Sequence, residues 1–208
     1  MSWHVDLDPV DHVGSRAAGD ATPGPDGVPR CPWALGSDDY RAYHDLEWGR
    51  PVHGDVALFE RLCLEGFQSG LSWITILRKR PAFRELFADF DPTVVAAFDE
   101  RDVERLLGDV RIVRHRGKIQ ATIGNAQALL RMWGSDGPGA LDRLIWNHSR
   151  QGSRPATLAD VPAWTDSSAA LSRELRARGF RFVGPTTCYA AMQACGVVDD
   201  HLIDCHLR

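Results

Sequence analysis

Glu65 and Trp73 stand eight residues apart in Cys63-Leu64-Glu65-Gly66-Phe67-Gln68-Ser69-Gly70-Leu71-Ser72-Trp73. Together a carboxylate and an indole can grip a flat, electron-poor ring, one accepting an N–H and the other offering its face to positive charge. Upstream, Tyr40, Tyr43 and His44 fall at i, i+3 and i+4, so one helical turn would present two phenols and an imidazole. Three tryptophans and two tyrosines lie between positions 33 and 73, enough for an aromatic pocket or an aromatic mini-core. Two further pairs carry metal-ligand chemistry. Cys31-x12-His44 and His201-x3-Cys205 each supply a thiolate and an imidazole, and their sum is the ligand set of a closed tetrahedral zinc site. Such a site would clip the two ends of the domain together. His206 competes with His201 for the fourth position.

These groups need elements to position them. Leu58, Phe59, Leu62 and Cys63 recur at helical spacing and predict an amphipathic helix over 55–65 with Glu65 beside its apolar stripe. Gly66 is expected to stop that helix, and a second helix from about Leu71 carries Trp73, Ile74 and Leu77. Leu71, at the tip of the link, reads either as an apolar wedge or as a first-turn core leucine. Pro81 is expected to break or restart the chain. Asp91-Pro92 reads as an N-cap followed by proline at the first helical position. A short helix over 100–107 turns Val103, Leu106 and Leu107 inward. After it come Arg114-His115-Arg116-Gly117-Lys118 and a longer helix with Ile119, Ile123, Ala126, Leu130 and Trp133 on one face. Two helices joined by a basic turn suit a hairpin that meets phosphate through backbone N–H groups, with Arg114, Arg116 and Lys118 adding charge. A solvated basic helix start explains the same residues equally well. Another helix around 168–178 ends at Gly179, and Pro185 opens the next. No segment shows sustained two-residue alternation, so the fold class is all-α.

Composition sets the outer limits. A chain of 208 residues with 44% hydrophobic content can bury one ordinary core, and no apolar run approaches a membrane span. The net charge of −4 excludes a basic nucleic-acid coat, yet residues 101–131 hold seven Arg or Lys against three acids. Five cysteines, an odd number at irregular spacing, point to a reducing compartment rather than a disulfide framework. The first residues have neither a basic nor an apolar signal region. Residues 1–29, rich in Asp, Gly and Pro, are expected to be a poorly ordered extension before a domain over 30–208.

The motifs together resemble one family. Cys31-Pro32-Trp33, Tyr43-His44-Asp45-x-Glu47-Trp48-Gly49 and Leu64-Glu65-Gly66-x-Gln68-x-Gly70-Leu71-Ser72-Trp73-Ile74 are similar to successive motifs of DNA-3-methyladenine glycosylase I. So are Arg114-His115-Arg116-Gly117-Lys118-Ile119, Phe182-Val183-Gly184-Pro185-Thr186 and Asp200-His201-x3-Cys205. The family pattern has Gly where Arg111 stands. The resemblance implies a helix-hairpin-helix DNA glycosylase fold with a structural zinc on Cys31, His44, His201 and Cys205 joining the N- and C-terminal segments. It implies hydrolysis of the N-glycosidic bond of 3-methyladenine in alkylated double-stranded DNA, leaving an abasic site, with no lyase step. Glu65, Trp73 and Tyr43 would form the base pocket, aided by Tyr40 and Trp33, with Glu65 recognising the base or acting as a general base. Leu71, Arg114, Arg116 and Lys118 would contact DNA. An intracellular, cytoplasmic monomer is expected. Two rivals fit the same residues: a glycosylase-lyase using Lys118 as an imine-forming nucleophile, and a zinc-stapled DNA-binding module with no catalysis.

Overall fold

The computed structural model describes residues 21–149 and 152–207. Among these, nine α-helices surround one core: α1 (Asp38–Leu46), α2 (Asp55–Gln68), α3 (Trp73–Leu86), α4 (Pro92–Val95), α5 (Glu100–Gly108), α6 (Arg116–Asp136), α7 (Ala140–Trp146), α8 (Asp166–Ala177) and α9 (Pro185–Ala194). The only strands among the described residues are β1 (Thr22–Pro23) and β2 (Pro29–Arg30), paired antiparallel. Residues 21–29 therefore carry more structure than their composition predicts. The cause lies just beyond them: Arg30 is 5% exposed and its guanidinium holds both Asp26 and Asp45 at 2.8 Å. Residues 1–20, the rest of the expected extension, lie outside the described residues.

The centre of the domain is α2. Its Leu58, Phe59, Leu62, Leu64 and Phe67 are buried with Ile119, Ile123, Ala126 and Leu129 of α6 and Cys188 and Met192 of α9. Polar clamps hold both of its ends. At the start, the buried Asp55 accepts from the Trp133 indole at 2.5 Å and from the Gly139 and Asp142 N–H groups at 2.8 Å. At the end, Lys118 Nζ donates to the carbonyls of Phe67 (2.8 Å) and Ser69 (2.6 Å). These are carbonyls that a helix C-terminus leaves unpaired.

Two expected breaks do not occur. The helix runs through Gly66 to Gln68, and the left-handed glycine is Gly70 (φ +80°). Gly66 serves close approach instead: a Cβ there would lie 3.3 Å from the Phe182 Cβ. Pro81 lies inside α3. It sits on the solvent side, and the buried Ile76, Leu77 and Phe83 hold the helix across the missing hydrogen bond. Other signals behave as expected. The Asp91 carboxylate caps α4 through the Thr93 N–H at 2.8 Å, Pro185 opens α9, and Gly179 (φ +94°) follows α8. On α6 it is Leu129 rather than Leu130 that reaches the core.

Candidate active site and metal centre

The aromatic residues upstream of Glu65 converge on a cavity of about 390 Å3. Trp33, Tyr40, Tyr43, Trp48 and Trp73 line it together with Glu65 and Gln68. Packing fixes the rings: Tyr43 lies 5.5 Å from Trp73, and Trp33 lies 5.8 Å from Tyr40 and 5.1 Å from Trp48 between ring centroids. The Tyr40 hydroxyl accepts the Ile74 N–H at 3.0 Å, which ties α1 to the first turn of α3. All five pocket residues read from the sequence thus meet at one place.

Two polar groups in this cavity lack partners. Glu65 is 5% exposed, and no hydrogen bond to its carboxyl exists among the described residues. The Trp73 indole N–H is buried and unpaired. Burial pushes the Glu65 carboxyl up to about 8, while the Arg61 charge pulls it down. Tyr43 is held above the ordinary phenol range by burial, with Glu65 adding to it. A buried acceptor and a buried donor with nothing to bind are costly in a folded protein. Their presence in an aromatic cleft marks a place for a planar ligand carrying N–H and acceptor edges.

Part of the cavity lining was not legible in the sequence. Gln193 and Asp200 form it with Leu158, Val161 and Ala190. Asp200 Oδ2 accepts from the Tyr189 hydroxyl (2.5 Å) and from Gln193 Nε2 (2.7 Å), so the wall is a fixed network. Asp200 belongs to a quoted motif, but nothing local to it shows that it faces Glu65's pocket. Arg61 was missed as well. It precedes Glu65 by one helical turn, donates to Glu47 at 3.1 Å, and keeps its Nη1 buried and unpaired. Its i, i+4 spacing from Glu65 is the signal that could have revealed it.

Cys31, His44, His201 and Cys205 are all buried, with their ligand atoms within 4.8 Å of one another. Cys205 Sγ lies 3.5 Å from His44 Nε2 and 3.7 Å from His201 Nδ1, and Cys31 Sγ lies 3.8 Å from His201 Nδ1. The remaining ring nitrogens are held by oxygen: His44 Nδ1 lies 2.8 Å from Asp45 Oδ1, and His201 Nε2 lies 3.2 Å from the Trp48 carbonyl. That second set of contacts turns both imidazole lone pairs toward the cysteines, as metal-binding histidines require. The cluster could hold a metal ion. His206, the competing ligand, is not among the four. Its Nδ1 lies 3.0 Å from the Pro29 carbonyl. Gly49 (φ +76°) makes room for His201, because a Cβ there would lie 2.7 Å from Nε2.

The basic hairpin is α5, the turn 109–115 and α6. The three cations expected to meet phosphate have separate fates. Arg114 is exposed and carries no ion pair among the described residues. Arg116 is exposed but paired with both Glu100 and Glu104 of α5. Lys118 is only 7% exposed, its ammonium is committed to the two α2 carbonyls, and burial lowers its pKa. The ammonium expected to meet phosphate is thus already held by two carbonyls at the end of α2. Arg111 takes its turn position without a positive φ, held by Asp109 and Glu85 at 2.8 Å. Leu71 precedes α3 and is 41% exposed, so it is not a core leucine.

Solved structures place this fold among DNA glycosylases. One 3-methyladenine DNA glycosylase I (TAG) superposes with a TM-score of 0.82 at 48% identity, covering 86% of this chain and 99% of the other. A second, a tyrosine-to-phenylalanine variant of such an enzyme in complex with 3-methyladenine, gives a TM-score of 0.79 at 34% identity over 85% of this chain and 96% of the other. The family model for methyladenine glycosylase matches residues 33–208. The chain belongs to the methyladenine glycosylase family. It is 52% identical to the Escherichia coli DNA-3-methyladenine glycosylase 1, over 85% of this chain and 95% of the relative. It is 46% identical to the Haemophilus influenzae DNA-3-methyladenine glycosylase over 85% and 96%.

Proposed function

We propose that this protein releases 3-methyladenine from alkylated double-stranded DNA by hydrolysing the N-glycosidic bond, leaving an abasic site. The observation that carries this reading is the buried Glu65 carboxyl, with no hydrogen bond among the described residues, beside the buried and unpaired Trp73 indole N–H in an aromatic cavity of about 390 Å3. Alkylation at N3 gives the adenine a positive charge and weakens its bond to the sugar, so selection of the cation is the main task of the site. Extrusion of the nucleotide from the stack brings the base into the cavity. Glu65 accepts from the exocyclic amine, and the faces of Trp73 and Tyr43 attract the cationic ring. Trp33 and Tyr40 complete the walls. Water then attacks C1′ of the sugar, the electron pair of the broken bond leaves with the base, which departs neutral, and the water's proton passes to solvent, while Glu65 keeps hold of the exocyclic amine. Leu71, exposed on the link between α2 and α3, fills the space the base leaves. Incubation with methylated DNA and identification of the freed base tests the reading. Release of 3-methyladenine is the expected result, and DNA binding without any free base would favour the non-catalytic module.

The metal cluster reads best as a structural zinc site. Zn–S bonds of about 2.3 Å and Zn–N bonds of about 2.0 Å at tetrahedral angles place S and N ligands roughly 3.5 Å apart. The S–N separations of 3.5–3.8 Å match that edge. Four protein ligands leave no open position for substrate, so the ion would join 31–44 to 201–205 and take no part in bond breaking.

On the DNA side, α5 and α6 form the hairpin that approaches the backbone, with Arg114 of the turn as its phosphate contact. Arg114→Ala should weaken binding to all DNA sequences and lower the slope of log K against log salt by about one unit. Lys118→Met should leave that slope unchanged. It should instead destabilise the fold by roughly 1.5–3 kcal/mol, the range for hydrogen bonds to a charged group. Melting curves and salt titrations of the two variants separate the roles. A slope change for Lys118→Met equal to that of Arg114→Ala would return Lys118 to the phosphate. Borohydride trapping on abasic DNA is expected to give no adduct, because the Lys118 ammonium is held by Phe67 and Ser69.

A further inference from the structure

Phe182 has a backbone conformation that bulky residues avoid. Its φ is +55°, in the left-handed region where Cβ crowds the following carbonyl. Such a conformation is costly and persists only where its surroundings over-determine it. Here they do. The buried Asn125 side chain clamps the preceding residue from both sides, its Oδ1 accepting the Arg181 N–H at 2.7 Å and its Nδ2 donating to the Arg181 carbonyl at 3.1 Å. The Val183 carbonyl on the other side accepts the Ser172 hydroxyl at 2.6 Å. Gly66 gives Phe182 room against α2, as its missing Cβ shows.

That effort does not bury the ring. Phe182 remains 40% exposed, while Phe180 and Val183 beside it are buried at 3% and 1%. If packing were its purpose, an ordinary conformation would serve better. The exposed ring lies edge-on to His115 of the hairpin, with centroids 6.4 Å apart. Arg114 and Arg181 are both exposed and carry no ion pair among the described residues. Phe182 also abuts Gly66, on the stretch of α2 that leads through Gly70 to the exposed Leu71. A flat apolar ring bordered by free cations complements a strand of nucleic acid, which offers base faces and phosphates together.

We infer that Phe182 is a second apolar DNA contact, held in a strained conformation so that its ring stacks on a nucleobase of the distorted duplex beside the extruded nucleotide. The inference rests on the proposed DNA glycosylase reading, and it gives the DNA-facing surface two apolar residues, Leu71 on the α2–α3 link and Phe182 on the α8–α9 link.

The test uses the full chain with Phe182→Ala and Phe182→Gly. Affinity is measured for duplex DNA containing a tetrahydrofuran abasic analogue, alongside titration with free 3-methyladenine and thermal melting. Both variants should bind the duplex roughly 5- to 150-fold more weakly, the range for loss of one base–aromatic stack. Free-base affinity should be unchanged, and Phe182→Gly should melt no lower than wild type because glycine adopts positive φ freely. Unchanged duplex affinity would overturn the inference. So would a parallel loss of free-base affinity and melting temperature, which would make Phe182 a packing residue. If wild type itself binds the duplex but releases no 3-methyladenine, the glycosylase reading has failed, while the stacking result still stands or falls on affinity.

Discussion

Glu65→Gln is expected to weaken binding of free 3-methyladenine by roughly 1.5–3 kcal/mol, the worth of a hydrogen bond to a charged group. It should slow single-turnover release from methylated DNA as well. The substitution keeps the side-chain shape and one acceptor oxygen but removes the ionised form, which a bound cationic base would draw out of a carboxyl that burial otherwise holds neutral at pH 7. Trp73→Ala should also weaken the free base, by roughly 1–3 kcal/mol, through loss of stacking. Both variants should bind undamaged DNA as wild type does, because Arg114 and the hairpin lie on α5–α6 rather than in the cavity. Equal base affinity and equal release by Glu65→Gln would leave Glu65 a helix-end carboxyl and move the recognition elsewhere among the aromatics.

The same carboxyl makes a stability prediction of definite sign. Its pKa rises from an ordinary 4.5 to about 8 in the folded protein because it is buried. A raised folded pKa means that the neutral form favours folding. That contribution is complete below 4.5 and is lost as pH rises through 8. At pH 7 the unfolded chain ionises freely and the folded one does not, a penalty of about 3 kcal/mol. Glu65→Gln should therefore melt higher than wild type near neutral pH, with the gap closing below pH 4.5. Release of the base by wild type should rise with pH toward 8, and the Gln variant should lack that rise. A gap that is flat from pH 4 to 9 would show that Glu65 does not titrate in this way.

Cys205→Ser carries the second large expected effect. Wild type should contain about one zinc per chain, and the variant substantially less, because the two cysteines supply half of the four ligands. Binding energy in such a site is folding energy, so the variant should lose about 3 kcal/mol of stability or more. The loss should be local. Hydrogen exchange should accelerate over 21–36 and 198–207, whose packing centres on Cys31, Leu202 and Cys205, while α2 and α6 stay protected. Base affinity should fall in part, because Trp33 of the cavity packs against His44 at 5.3 Å. A metal-free preparation with wild-type melting would remove the site from the account of this protein.

The sequence by itself determined most of the helices, the aromatic turn upstream of Glu65 and the His201–Cys205 spacing. Each of these is a matter of near neighbours: the spacing of Leu58, Phe59 and Leu62 along one face, the turn that brings Tyr40 to Tyr43 and His44, the Asp91-Pro92 cap. Helical periodicity is local, so it can be read without knowing what packs on it. It also misled locally, since Gly66 and Pro81 carry the usual marks of helix ends. There the deciding contacts come from Phe182, 116 residues away in the chain, and from the buried face of α3. The tertiary structure alone decided which cation is free. Arg114, Arg116 and Lys118 are interchangeable as text, but the acids of α5 take Arg116 and the end of α2 takes Lys118. It alone placed Gln193 and Asp200 in the same cavity as Glu65, and it alone set the strain at Phe182. Each of these depends on surfaces from distant segments meeting, and a charge, a cavity wall or a strained φ acquires its meaning only from the group placed against it.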